Sequence, residues 1–378
     1  EFDYLISSAF IDQFDNIYIT VSRVVSAENV QNVGLIASLN TSPIINKLSF
    51  DQGDTNFDDA GFDFKLYETN ANPLVNSITI DNSKNIYIGG VFNVYNPQRY
   101  QGCFLIDNNG DIDMSFDSSS NLNNYSATIN CLTVDSNNKI YVGGGFSSYN
   151  GLSDQKHIIR LNTDGTRDSG FDNSNAFIND SVTYPTVNVI TIDNNGKIYV
   201  GGSFTSYKGT SANRIIRLNT DGTIDGTFVY GTGFNNTVST IVVDASNKIY
   251  VGGQFTTYQG LANNNIIKLN DDGTKDATFD NTTGFNALVS IIYINLAGKI
   301  YVGGSFTTYK GVTYNRIVRL ETTGLVDAGF VLGTGFNSVV NSIVVDNSDK
   351  VYIGGAFTTY QTITENRIIK LNDDGTKD

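Results

Sequence analysis

The chain has 378 residues, 40% of them hydrophobic, with 37 Gly, 21 Tyr and 23 Phe but only 4 Pro, 1 His and no Trp. Its 38 acidic residues stand against 24 basic ones, a formal net charge of −14, which argues against nucleic acid or an anionic membrane being recognised by a basic face. No apolar run is long enough to span a bilayer and no Ala, Leu and Glu recur at helical spacing, so all-β structure rich in aromatic residues is expected.

In chain order, one short phrase is rewritten seven times: "NIYITVSRVV" at Asn16, "NIYIGGVFNVYNP" at Asn85, "KIYVGGGFSSYNG" at Lys139, "KIYVGGSFTSYKG" at Lys197, "KIYVGGQFTTYQG" at Lys248, "KIYVGGSFTTYKG" at Lys299 and "KVYIGGAFTTYQT" at Lys350. A phosphate loop is needed once, opens a helix and ends in Lys-Ser/Thr. The paired glycines here recur with no helical pattern after them, so a nucleotide site is set aside. Recurrence at such a period announces a solenoid, propeller or array.

One unit shows how the repeat folds. "TIVVD" (240–244) places Ile241 and Val243 on one face at period two; a polar turn leads to "KIYVGG" (248–253), where Ile249 and Val251 share a face and Tyr250 takes the other. Both faces are apolar enough to be covered, so neighbours on both sides are expected. Gly252 and Gly253 stand where a side chain would hinder the next unit, and Phe255 adds aromatic packing. "NIIKLN" (265–270) reads as a third strand and, after the turn "DDGT", "KDATF" (275–279) as a fourth. Four antiparallel strands repeating every 51 residues at Ile198, Ile249, Ile300 and Val351 describe propeller blades.

With Ile17, Ile86 and Ile140 these anchors make seven units. The last stops at "LNDDGTKD", before its outer strand, while "EFD" at the start matches "TFD" (278–280) and "SSAFIDQFDNIYI" (7–19) matches "SIIYINLAGKIYV" (290–302). The expectation is a single seven-bladed β-propeller over 1–378, its ring closed three plus one by an N-terminal strand near Phe2 to Ile6 joining the last blade. A chain that begins and ends in mid-repeat is expected to be part of a longer precursor.

The phrase "KIYVGGSFTxYxGxxxNRIIRLNTDGTxDxxF" resembles the delta-60 repeat family of bacterial β-propeller proteins and, more distantly, the kelch repeat with its Tyr and paired Gly. The likeness covers nearly the whole chain and is strong in units three to seven; the first unit has "ITVSRVV" where the Gly pair should stand. The resemblance implies secreted or surface-exposed repeat proteins, bacterial or phage-borne, and brings no catalytic residue with it.

Function must be argued from a site, because propellers host both binding and catalysis. Positions that recur in every unit are expected to be scaffold. Tyr149, Tyr207, Tyr258, Tyr309 and Tyr360 would make an aromatic ring for stacking sugars, yet recurrence at one position favours packing. His157 stands where other units carry Arg214 and Arg316 and reads as a tolerated replacement. Cys103 and Cys131 form no framework or metal spacing and read as small buried residues. The "NTDGTRD" turns (162–168, and kin at 219–225 and 270–276) offer oxygen ligands, but lack the ligand number and distal Glu of a calcium loop and read as Asp-stabilised hairpin turns. No cofactor is expected, calcium being the one ion considered.

Loop length points elsewhere. The interval from third strand to next first strand is 25 residues between Asn219 and Asp244, Asn270 and Asn295, or Glu321 and Asp346. It is 41 between Asn40 and Asp81, 28 between Asp107 and Asp135 and 31 between Asn162 and Asp193, and Pro43, Pro73, Pro97 and Pro185 all lie in these early units. Loops on rigid scaffolds carry function. The longest stretch, 51–73, interleaves Asp51, Asp54, Asp58, Asp59 and Asp63 with Phe62, Phe64 and Tyr67; Tyr125 and Tyr184 lie in neighbouring loops rich in Asn and Ser. The reading is a binding or adhesion module, not an enzyme, extracellular or at the cell surface, monomeric within a longer chain. It would recognise a glycan or protein through these loops, the alternative being an architectural spacer of an adhesin, virion or injection assembly. Catalysis is set aside because the chain has one His and its acids mostly recur in turns.

Overall fold

A computed structural model of the chain describes the strands Tyr4–Ile11, Ile17–Arg23, Gly34–Ser38 and Lys65–Leu66, together with residues 74–96, 98–106, 113, 115–116, 128–149, 156–174, 176–178 and 185–378. Among these, every regular element is a strand and all pairing is antiparallel. Two compact units divide the chain, Glu1–Asp168 and Ser169–Asp378.

In the second unit one sheet is written four times. Val238–Val243, Ile249–Gly253 and Ile266–Leu269 form a three-stranded meander, and the same order holds for Val187–Ile192 with Ile198–Gly202 and Ile215–Leu218. It holds again for Val289–Ile294 with Ile300–Gly304 and Ile317–Leu320, and for Val340–Val345 with Val351–Gly355 and Ile368–Leu371. The register Val243↔Ile249 and Ile249↔Leu269 leaves a bulge between Val238 and Thr240. The middle strand is buried along its whole length, as a strand covered on both faces must be.

Turn chemistry sets that register. Asp244 ends the first strand, and its Oδ1 accepts hydrogen bonds from Ser246 N at 2.8 Å and Lys248 N at 2.9 Å, while Asn247 takes a left-handed φ of 57°. The paired glycines have separate reasons. A Cβ on Gly252 would meet Val289 Cγ1 of the next sheet at 2.6 Å; one on Gly253 would run into the carbonyl oxygen of Thr237 in its own sheet. Between sheets, Thr191 Oγ1 donates to Ile241 O at 2.7 Å and Tyr293 OH to Val345 O at 3.1 Å, joining neighbouring first strands.

The first unit has the meanders Tyr4–Ile11/Ile17–Arg23/Gly34–Ser38 and Ile129–Val134/Ile140–Gly144/Ile158–Leu161. Between them in sequence lies a four-stranded sheet of Lys65–Leu66, Ile86–Asn96, Leu74–Ile80 and Gln98–Ile106. Cys103 and Cys131 are not joined in a disulfide, and both are buried as small core residues.

Two expectations need correction. The fourth strand over 275–279 is reduced to a single bridge, Leu269↔Lys275, plus Asp276 N bonding Lys268 O at 2.9 Å. Asp276 stops it: its Oδ1 captures Thr278 N at 2.9 Å and Thr278 Oγ1 at 2.6 Å, turning the chain away. Instead, each later repeat carries a small hairpin between its second and third strands, such as Thr257–Tyr258 with Leu261–Ala262, which Phe234 bridges at Tyr258. The second correction concerns the N-terminus. Tyr4, Leu5 and Ile6 pair with Arg23, Ser22 and Val21 and so extend the first sheet, while Phe2 and Asp3 lie outside the described residues. The second strand of this repeat runs on to Arg23 and offers Tyr4, Leu5 and Ile6 their partners.

Candidate functional site

The recurring tyrosines are structural. Tyr207, Tyr258, Tyr309 and Tyr360 are buried, and their hydroxyls donate to the carbonyls of Gly222 at 2.7 Å, Gly273 at 2.7 Å, Gly324 at 2.8 Å and Gly375 at 2.5 Å. Tyr149 does the same to Gly165 at 2.6 Å. Their faces are covered too: the Phe285 ring lies 4.3 Å from that of Phe306 and 4.5 Å from that of Tyr309. No ring face is left for a sugar at these positions.

The recurring charges are likewise spent on the scaffold. Arg217 pairs through Nε with Asp225 at 2.9 Å and through Nη1 with Asp271 of the next repeat at 2.6 Å, and bonds Tyr199 OH at 3.0 Å. Lys197 adds a second cation to Asp225 at 3.0 Å. Burial opposes ionisation of Asp225, but the Thr227 hydroxyl and amide, Lys197 and Arg217 together hold its carboxyl well below the usual range. Arg319, Asp327 and Lys299 repeat this cluster. The acidic turns behave as turns: Asp272 Oδ1 accepts from Thr274 N at 2.9 Å and Thr274 Oγ1 at 2.6 Å, with Gly273 at φ 85°. Among the described residues no three His, Cys, Asp or Glu side chains converge as a metal cage.

One recurring position has variable chemistry. Immediately before the third strand stand His157, Arg214, Asn265, Arg316 and Arg367, all left-handed with φ of 66°, 69°, 65°, 71° and 68°. Backbone strain of this kind in non-glycine residues costs about 1 kcal/mol or more and marks positions worth attention. His157 is buried with Nδ1 lacking a hydrogen-bond partner, and burial holds its imidazole down at about 4. Between pH about 4 and 6.5 the unfolded chain therefore binds the proton that the folded chain refuses, so stability falls as pH drops through that window. The His157→Asn variant, copying Asn265, is expected to lose up to about 2 kcal/mol of this pH dependence, read from urea unfolding at neutral pH and near pH 4.5.

The residues that the sequence singles out for recognition, Asp51, Asp54, Asp58, Asp59, Phe62, Asp63, Phe64, Tyr67, Tyr125 and Tyr184, all lie outside the described residues. The left-handed arginines were missed as a site: a periodic Arg carries no sign of its backbone conformation, and only its alternation with His and Asn hinted that something other than packing selects it.

Five stretches, 136–171, 194–228, 245–279, 298–330 and 347–378, match a family described as a domain of unknown function (DUF5122) β-propeller. No curated protein matches in sequence. Among solved structures, a catalytically inactive virginiamycin B lyase from Staphylococcus aureus with quinupristin is similar at 16% identity and a TM-score of 0.42, over 82% of this chain and 97% of that one. A gluconolactonase from Xanthomonas campestris is similar at 12% identity and a TM-score of 0.37, over 72% and 80%, and a protein of unknown function from Bacteroides caccae at 9% and 0.32, over 73% and 81%. The expectation that the chain is not an enzyme is corrected here, since two of these neighbours are enzymes. Carboxylates from different repeats meet only in the folded chain, so a composition poor in His does not exclude an acid pair. Those neighbours' reactions are not carried over to this chain. The five matched stretches, together under half of the chain, are similar to that family's β-propeller repeats.

Proposed function

We propose that the chain is a binding module of a secreted or surface protein, recognising a glycan or a protein through residues that do not recur from repeat to repeat. One observation carries the reading: the recurring tyrosines, the carboxylate-paired arginines Arg217 and Arg319 and the turn aspartates are engaged with the scaffold itself, which leaves recognition to positions whose residues change from repeat to repeat. The long stretch 51–73, with Asp51, Asp54, Asp58, Asp59, Phe62, Asp63, Phe64 and Tyr67, and the loops of Tyr125 and Tyr184 are the proposed contact surface. We further read the seven units as seven blades of one ring of the delta-60 type, the fourth strand of repeats three to seven being shortened to its bridge.

The test is binding of the chain to a broad glycan array, with and without calcium, beside a variant whose 51–73 stretch is cut to the length found between Asn270 and Asn295. Specific capture that disappears on shortening is the expected result. Capture that survives shortening removes the assignment to this loop, and no capture under any condition favours a protein partner or a spacer.

A further inference from the structure

Arg214, Arg316 and Arg367 occupy one end of three sheets in the second unit. In each, the backbone N–H bonds the carbonyl of Phe204, Phe306 or Phe357 at 2.9 Å, and the carbonyl accepts from Gly202 at 3.1 Å, Gly304 at 3.0 Å or Gly355 at 2.9 Å. Each guanidinium folds back over the end of the second strand, where Nη1 donates to Ser203 O, Ser305 O or Ala356 O; Arg214 Nη1 also reaches Phe204 O at 3.0 Å. Nε is buried without an acceptor, whereas each residue as a whole is only half-buried and Nη2 has no acceptor among the described residues.

These three differ from the other arginines of the unit. Arg217 and Arg319 each hold two carboxylates, while Arg214, Arg316 and Arg367 have no acid within 4.0 Å among the described residues. Burial without a carboxylate pulls the Arg214 guanidinium below its ordinary value.

The acids are gathered at the other end. In an antiparallel meander, first strands start and third strands start at one end; Asp193, Asp244 and Asp346 end first strands, and Asp221, Asp271, Asp272, Asp373 and Asp374 follow third strands, all at the opposite end. Glu365, two residues from Arg367, is bonded to Lys377, and Asp172 and Asp280 are paired with Lys208 and Lys310 at 2.8 Å each. A chain of net charge −14 thus keeps one end of this unit for unpaired guanidiniums held in a strained, fixed conformation.

We propose that Arg214, Arg316 and Arg367 form an anion-recognition rim, and that its ligand is an acidic polysaccharide bearing carboxylate or sulfate groups. This rests on the binding reading above, adds to its loops the one strand-end position whose residue changes among His, Arg and Asn, and gives its ligand class. The cations sit on separate sheets, so a polymer with regularly spaced anions suits them, whereas one small anion would need them to converge. Arginine is the residue type that matches planar carboxylates and sulfates through paired donors.

The test uses polygalacturonate, dextran sulfate and neutral dextran against the chain and against the triple variant Arg214→Asn, Arg316→Asn, Arg367→Asn. Asparagine already occupies the position at Asn265 with φ 65°, so the variant keeps the fold, which urea unfolding checks. The proposal expects salt-sensitive binding of one or both polyanions and none of neutral dextran, weakened roughly 1,000-fold in the triple variant, since each of the three lost charge-assisted bonds is worth about tenfold. Stronger retention of polygalacturonate or of dextran sulfate identifies carboxylate or sulfate as the group read. Unchanged polyanion binding by the variant overturns the rim and leaves the glycan reading intact; binding of neutral glycans alone does the same. Binding of no glycan overturns both.

Discussion

Gly304→Ala is expected to destabilise the chain by about 3 kcal/mol, an overpacking cost at the upper end of its usual range because nothing nearby gives way. The new Cβ would run into the carbonyl oxygen of Leu288, with the Leu288 carbonyl carbon and Ser290 N each 3.1 Å away. All three are backbone atoms. That carbonyl also accepts the Ser305 amide at 3.0 Å, so moving it aside gives up a hydrogen bond at the start of the sheet. Gly226→Ala is the matched control: its Cβ meets nothing within 4 Å, and a change within about 0.5 kcal/mol is expected. Urea midpoints of the two variants check both statements; equal effects would mean that Gly304 does not set the spacing within its sheet.

The second large effect is expected at Arg217. Its side chain is 3% exposed, it is held by Asp225 and Asp271, and its guanidinium lies 5.0 Å above the Phe228 ring. Arg217→Met leaves Asp225, itself 4% exposed, with Lys197 as its remaining cation, and a cost of about 3–5 kcal/mol is expected for breaking a buried pair. Asp271→Asn removes the partner that is 59% exposed and is expected to cost under about 1 kcal/mol. Arg217→Lys should fall between them, because Lys268 holds the corresponding place one repeat later and reaches Asp276 at 3.7 Å and Thr322 O at 3.1 Å. Denaturant titration of the three variants measures the order, and a cost for Asp271→Asn equal to that of Arg217→Met would contradict it.

Much of the scaffold was legible in the sequence for a simple reason. Alternation over Val238–Val243 and Ile249–Gly253 is long enough to reveal its period, and repetition every 51 residues averages away local exceptions. The tyrosine positions were legible as packing because recurrence itself argued for it. The lost fourth strand was hidden: "KDATF" has strand-like residues, and the outcome turned on Asp276 capturing Thr278, a local bond that competes with the ladder. Hairpins of two residues a side, such as Thr257–Tyr258 with Leu261–Ala262, have no periodicity to read. The Arg217–Asp271 link spans 54 positions and leaves no mark on the sequence, and the left-handed arginines show there only through their alternation with His157 and Asn265. The loop residues from Asp51 to Tyr67, with Tyr125 and Tyr184, stand as read from composition and loop length alone.

The division between recurring scaffold and non-recurring recognition is tested most directly by glycan affinity in a chain carrying Tyr258→Phe and Tyr309→Phe together, against whichever glycan the unaltered chain captures. Each variant removes a buried hydroxyl bonded to a glycine carbonyl, at 2.7 Å and 2.8 Å. The predicted result is unchanged affinity with stability lowered by about 1 kcal/mol per lost bond. Affinity lost while stability stays the same would place recognition on the recurring tyrosines and contradict the account.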